Sequence, residues 1–307
     1  MKKIIYVIII FIFVFCCIEV TCRICGLGNK DYINSNEQIY KYDDKLGWFL
    51  NSNLNTDFKK MGIIKTNSIG FRDIEHNYKL KTKKRIMFIG DSFTFGDKTT
   101  QKNIFVELLR YKLKEYELFN CGVSGYGTAQ EYLLLLKYFD VISPDIVFLT
   151  ICFNDVYDNI GNYVVQGYYK PLFIRKGKYI FLHNNTIPKS YNCYKNNFFI
   201  KYSNFITFIL KNFITFKNPP ICTNDYGIIE DILLLFKQFL IDKDCTFYIG
   251  LTHHDAALEM FFRNNDIKYI VLENSNIIEN DVHWNEKGHE YVANKIYNFF
   301  EEENIIK

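Results

Sequence analysis

The sequence predicts an α/β protein in which helices cover both faces of a parallel sheet. Three observations carry that prediction. Short continuous apolar runs occur at residues 85–89 ("RIMFI"), 145–151 ("DIVFLTI") and 245–252 ("CTFYIGLT"). They have the length of strands and no in–out alternation, as strands buried on both faces do. Between them lie segments whose apolar residues recur at helical spacing. The two kinds of segment alternate from Arg85 onward, the order expected of a sheet wound by crossover helices.

The elements follow in order. Residues 85–89 form the first buried strand. A helix over 103–113 places Ile104, Phe105, Leu108, Leu109 and Leu113 on one face. A short strand at 117–120 precedes a Leu-rich helix at 128–140, and 145–151 is the next strand. Residues 156–226 interrupt the alternation with a segment rich in Tyr, Phe, Asn and Lys, in which 198–216 reads as an amphipathic helix. Its Lys201, Asn204, Lys211 and Asn212 argue against a second membrane span. The alternation resumes with a helix at 227–240, a strand at 245–252, a helix at 255–264 and a strand at 268–272. The last helix, 285–303, turns Val292, Ile296, Phe299 and Phe300 inward.

Ahead of the alternation, residues 26–84 form a junction. Its turn formers and scattered aromatics predict hairpins and loops rather than an independent domain. The N-terminus differs again. Met1, Lys2 and Lys3 precede fifteen uncharged, mostly apolar residues, Ile4 to Ile18, before Glu19 and Arg23. As a helix that run spans only about 22 Å of a roughly 30 Å hydrocarbon layer, and continuing through Val20, Thr21 and Cys22 closes most of the gap. No small-x-small cleavage site follows. The expectation for residues 1–25 is an uncleaved anchor with Lys2 and Lys3 on the cytoplasmic side and the rest of the chain outside. A cleaved signal, leaving a secreted or periplasmic protein, is the alternative, and a buried core helix is the third reading.

Composition excludes some classes. Among 307 residues, 37 basic and 34 acidic side chains leave a net charge of +3. That is no nucleic-acid footprint, and "KLKTKK" at 79–84 reads as solvated loop. Of nine cysteines, four lie within the first 25 residues. Cys121, Cys152 and Cys245 adjoin apolar strands and read as buried free thiols. Cys22 and Cys25 form a C-x-x-C without the second pair that zinc requires. A Cys193–Cys222 disulfide is open if the chain is exported.

Sites in open α/β sheets form beyond the carboxyl ends of the strands. There this sequence places Gly90-Asp91-Ser92, then "NCGVSGYGT" (120–128), "CFND" (152–155) and "NDVHWNEKGH" (280–289). A serine hydroxyl needs a base to become nucleophilic. His283 is the candidate base, and Asp281 can hold its tautomer. The N–H of Ser92, the N–H of Gly125 and the side-chain amide of Asn154 are candidate oxyanion donors. Asp91 reads as a structural hydrogen-bonder, Gly122 and Gly127 as loop-shaping residues, and His289 as a packing residue of the last helix. His253 and His254 are alternative bases without the local pattern, and His76 and His183 have no constellation. Asp155 and Asp158 beside Asn154 are too few for a metal site.

These four blocks together resemble the SGNH, or GDSL-type, hydrolase superfamily, in its order and over residues 85–307. The resemblance implies a three-layer α/β/α, flavodoxin-like domain. It implies Ser92 as nucleophile, His283 as base, Asp281 as its partner, and Ser92, Gly125 and Asn154 as the oxyanion hole. No cofactor and no metal are implied. Two departures stand out. The third block usually carries glycine where this chain has Cys152. Many members place the aspartate three residues before the histidine, where this chain has Asn280. The two-residue spacing of Asp281 resembles envelope polysaccharide O-acetyltransferases and their relatives.

The expected function is ester hydrolysis through an acyl-serine, on an acylated small molecule or an acetylated envelope glycan. An O-acetyltransferase with the same Ser-His-Asp chemistry is the alternative, and a non-catalytic glycan-binding relative is the third reading. The aromatic 156–226 insertion reads as a satellite core or as a lid or wall beside the substrate.

Overall fold

A computed structural model describes residues 2–28, 39–58, 62–159, 164–165, 167–177, 179–183, 185–189, 202–213 and 226–306. Cys193 and Cys222 lie outside the described residues, and so does the proposed bridge between them.

Helix α1 (Lys2–Ile24) is followed by two hairpins, β1 (Tyr40–Asp43) with β2 (Gly47–Leu50), and β3 (Asn55–Phe58) with β4 (Gly62–Lys65). The alternation begins with β5 (Lys84–Gly90), the one-turn helix α2 (Ser92–Phe95), α3 (Phe105–Lys112), β6 (Tyr116–Gly122), α4 (Thr128–Ile142) and β7 (Ile146–Ile151). The short α5 (Asp155–Asp158) opens the insertion. Its described part holds β8 (Val164–Val165), β9 (Tyr168–Tyr169), β10 (Phe173–Lys176), β11 (Tyr179–Leu182) and α6 (Asn204–Phe213). Then come α7 (Tyr226–Asp242), β12 (Thr246–Leu251), α8 (Ala256–Asn264), β13 (Lys268–Val271) and α9 (Glu286–Glu302).

The central sheet has the order β13-β12-β7-β5-β6, and every pairing in it is parallel. Numbered along the chain, these strands run 2-1-3-4-5, so the winding reverses between β5 and β7. A crevice forms at such a reversal, outside the carboxyl ends of the strands. Alternate residues of β5 serve opposite faces. Ile86 and Phe88 pack with α3 and α9, whereas Met87 and Ile89 pack with α4 and α7. Three layers result, as predicted. The inward faces of α3 and α9 are also as predicted, with Ile104, Phe105, Leu109, Val292, Ile296, Phe299 and Phe300 all buried.

The junction does hold hairpins, but it is not peripheral. Ile39, Leu46, Trp48 and Leu50 are fully buried and merge with the core on the α4–α7 side. Burying one such large side chain contributes about 2–3 kcal/mol. The insertion joins the same core through Tyr168 and Phe173. Tyr168 stacks on Trp48 with centroids 6.5 Å apart.

His76 corrects the sequence reading, which gave it no constellation. Its Nε2 lies 2.8 Å from Asp73 Oδ2 and its Nδ1 3.0 Å from Glu117 Oε1. Asp73 also accepts from Arg110, and Glu117 from Arg85 Nε at 2.7 Å. The partners come from four separate stretches of chain, so no local motif announces them.

Helix α1 has a mean hydropathy of 2.9 over its most apolar window, none of which is buried. The buried-core-helix reading is thereby overturned. Helix α6 is the described portion of the amphipathic helix expected at 198–216. Glu19 of α1 accepts from the N–H groups of Asn204 and Phe205 and from the Ser203 hydroxyl.

Candidate active site

Ser92 is the first residue of α2, immediately beyond the carboxyl end of β5. Asp91 caps the helix, its Oδ1 accepting from the Phe93 N–H at 2.9 Å. Gly96 ends it in the left-handed conformation (φ 79°). So tight a turn packs close to the neighbouring strand: a Cβ on Gly122 would stand 2.3 Å from the Phe95 nitrogen. The first-turn N–H of Ser92 has no acceptor within its own helix.

His283 lies in the loop between β13 and α9. The His283 carbonyl accepts from the Ile278 N–H at 2.9 Å, and Asp281 Oδ1 accepts from the His283 N–H at 3.0 Å. The buried indole of Trp284 anchors the loop against Phe93, ring centroids 4.8 Å apart. This places His283 Nε2 2.8 Å from Ser92 Oγ and His283 Nδ1 2.5 Å from Asp281 Oδ1. A hydroxyl, an imidazole and a carboxylate are thus joined in series. The other carboxylate oxygen of Asp281 pairs with Lys98, a half-exposed residue six positions after Ser92. Nothing in the sequence marked Lys98.

Gly125 and Asn154 follow the strands on either side of β5. Gly125, at φ 81°, turns the chain just beyond β6, in a conformation that suits glycine. Asn154 precedes α5, beyond β7. The three loops therefore rise from adjacent strands β6, β5 and β7. The amide nitrogen of Asn154 donates to Asp158 Oδ2 at 2.7 Å, and its oxygen is in contact with Cys152 Sγ. Cys152, at the position usually held by glycine, also lies 2.9 Å from Asp91 Oδ2. Burial, reinforced by Asp91 and Asp155, pushes its thiol well above the usual range.

The remaining candidates take structural places. Burial raises the pKa of Asp91. Asp155 accepts from the Cys152 N–H at 2.8 Å and from the Thr128 hydroxyl at 3.2 Å. His289 is buried, stacks on Phe105, and accepts from the Phe105 N–H at 3.3 Å. Burial pulls its pKa down to about 3. His253 contacts Thr252 and Phe153, while His254 pairs with Glu259 at 3.0 Å. Neither contact joins these two histidines to Ser92.

Beneath the site, Arg72 of the junction is fully buried. Its guanidinium donates to the carbonyls of Phe95, Gly96 and Thr99 at 3.1, 2.7 and 2.8 Å. It thereby holds the loop that leaves α2. Asp97 in that loop is buried, accepts from the Ser124 hydroxyl at 2.8 Å, and has its pKa raised by burial.

The fold is similar to those of GDSL-type esterases of known structure. One is a GDSL-like lipase from Bacteroides thetaiotaomicron, 12% identical, with a TM-score of 0.43 over 74% of this chain and 92% of that one. Another is a psychrotrophic esterase from Pseudoalteromonas sp., 9% identical, with a TM-score of 0.44 over 73% and 100% of the two chains. A third is an acetyl xylan esterase, 17% identical, with a TM-score of 0.39 over 70% and 98%. No protein-family model and no curated protein matches the sequence. Likeness at this level assigns no residue roles, so the reading below rests on the geometry of the site.

Proposed function

We propose that the chain is a serine ester hydrolase of the SGNH type, that residues 85–307 form its hydrolase domain, and that its substrate is an acyl ester of an envelope carbohydrate. The observation that carries the proposal is the series Ser92 Oγ–His283 Nε2–Asp281, at 2.8 and 2.5 Å, beyond the switch point of the sheet. In this reading the Ser92 oxygen attacks the acyl carbon and its proton passes to His283 Nε2. Asp281 accepts from Nδ1–H and stabilises the imidazolium. The N–H groups of Ser92 and Gly125 and the amide of Asn154 face the oxyanion. The alkoxide leaves with the proton from Nε2. Water then repeats the sequence on the acyl-serine and regenerates the hydroxyl.

One observation favours a second reading, O-acetyl transfer with a sugar hydroxyl in place of water. The aspartate stands two residues before the histidine, a spacing that resembles the transferase subgroup. Helix α1 serves as the anchor that keeps the site outside the cytoplasm, at the envelope; its length, exposed apolar surface and flanking Lys2 and Lys3 support this.

The test is turnover of p-nitrophenyl acetate by the full chain in detergent, beside Ser92→Ala and His283→Ala. Steady turnover by wild type alone is the expected result. A single burst of nitrophenol followed by a stall points to transfer. Equal inertness of all three proteins, with no acyl adduct by mass, overturns both readings.

A further inference from the structure

The amide of Asn154 poses a problem that the three-residue series does not solve. Rotated by half a turn, the same side chain presents its oxygen instead of its N–H to the substrate, and an oxyanion would be repelled. Asn154 needs something to choose its orientation.

The structure supplies partners on both ends of that amide. On the nitrogen end, Asp158 Oδ2 accepts from Nδ2 at 2.7 Å. On the oxygen end lies Cys152 Sγ. Cys152 has one S–H, for which Asn154 Oδ1 competes with Asp91 Oδ2 at 2.9 Å. The Asp158 contact sets the orientation, since an amide oxygen in place of Nδ2 could not donate to it. It leaves the second N–H of Nδ2 free of Asp158.

Asp158 in turn is held by Lys170, whose Nζ lies 3.2 Å from the same Oδ2. Lys170 is only 1% exposed and comes from the insertion, just after β9. This ion pair places a buried cation against the carboxyl group that accepts from Asn154. The segment carrying Lys170 is pressed onto the first hairpin: a Cβ on Gly47 would meet the Tyr169 carbonyl oxygen at 2.1 Å. Asp158 is fitted just as closely, since a Cβ on Gly127 would stand 2.8 Å from its Cβ.

We infer that Lys170 and Asp158 are positioning residues, a relay from the insertion that orients the Asn154 amide as an oxyanion donor. The inference rests on the hydrolase reading above. It gives the insertion a stated task at the site, and it gives the glycine at 127 a reason.

The experiment uses the full chain in detergent, with Asp158→Asn, Lys170→Met and Asn154→Ala, and Asp158→Asn combined with Asn154→Ala. Turnover of p-nitrophenyl acetate and the rate of Ser92 phosphonylation by a nitrophenyl phosphonate are both read. Loss of an oxyanion donor costs roughly 10²–10³ in kcat. Asp158→Asn should lower kcat about 10–100-fold with KM within about 2-fold, and slow phosphonylation by the same factor. Added to Asn154→Ala it should cost nothing more, because the donor it orients is already gone. Lys170→Met should behave like Asp158→Asn; if it does not fold, the near-isosteric Asp158→Asn carries the test alone. Wild-type kcat in Asp158→Asn, or losses that multiply in the double variant, overturn the relay and leave the hydrolase reading intact. If wild type itself is no faster than Ser92→Ala, the hydrolase reading fails and the relay with it.

Discussion

The two ends of the central sheet handle buried charge in opposite ways. At the amino end, charges meet their opposites. Arg85 donates to Glu117 and to the carbonyls of Asn77, Leu80 and Ile142, and its own N–H donates to Asp145. Arg110 serves Asp73 and Glu107, and His76 joins Asp73 to Glu117. At the carboxyl end, Asp91, Asp97, Glu131 and Asp155 are all buried, and burial raises the pKa of each. Neither carboxyl oxygen of Glu131 has a hydrogen-bond partner in the structure. A network of paired charges holds segments together; buried carboxyls met by neutral donors, or like Glu131 by none, lower stability and are kept where chemistry needs them. One end reads as cohesion and the other as function.

The sharpest break of that contrast is Ser92→Ala. Hydrolysis should fall at least about 10³-fold, while the urea midpoint of unfolding barely moves, because a half-buried hydroxyl adds little to packing. At the opposite end, Arg85→Met should leave activity per folded molecule unchanged. It should cost about 3–5 kcal/mol of stability, since Glu117 then lies partly buried beside a vacated cation site. Urea titration with activity normalised to folded protein checks both at once.

Glu131→Gln sharpens the contrast through pH. In the folded chain Glu131 holds its proton well above the ordinary value of 4.5. Between 4.5 and its folded pKa, the native state binds more protons than the unfolded one, so stability falls as pH rises. The slope approaches about 1.4 kcal/mol per pH unit for one full proton. Glu131→Gln should flatten the decline in urea midpoint as pH rises above 4.5 relative to wild type, and an unchanged slope would sink this reading of the cluster. The smallest effect belongs to Lys98→Met. Lys98 is half exposed, so losing its pair with Asp281 should lower kcat/KM only about 2–5-fold, with the gap narrowing in molar salt.

What was legible in the sequence was local. Strands β5, β7 and β12 announce themselves as continuous apolar runs, and α3 and α9 by the spacing of Phe105, Leu109, Val292 and Ile296. Ser92, Asp281 and His283 stand in short blocks beside strand ends, and the structure brings Ser92 and Asp281 each within hydrogen-bond distance of His283. What was not legible depends on contacts between distant segments. Arg72 reads as a loop arginine until the fold brings the carbonyls of Phe95 and Gly96 to it. Lys170 reads as one lysine among many in a polar insertion, and His76 as a histidine without company. The short strands β1 and β2 carry too few residues to show a period, so the burial of Trp48 could not be foreseen.

The buried thiols bear on redox chemistry. Oxidants and alkylating agents react with thiolates, and Cys121, Cys152 and Cys245 are held as thiols by burial. At these three positions burial disfavours the thiolate, the form that reacts. Cys152 is joined to Ser92 through Asp91, whose Oδ2 both contact. The sulfur nearest the candidate nucleophile is thereby a hydrogen-bonding group rather than a second nucleophile.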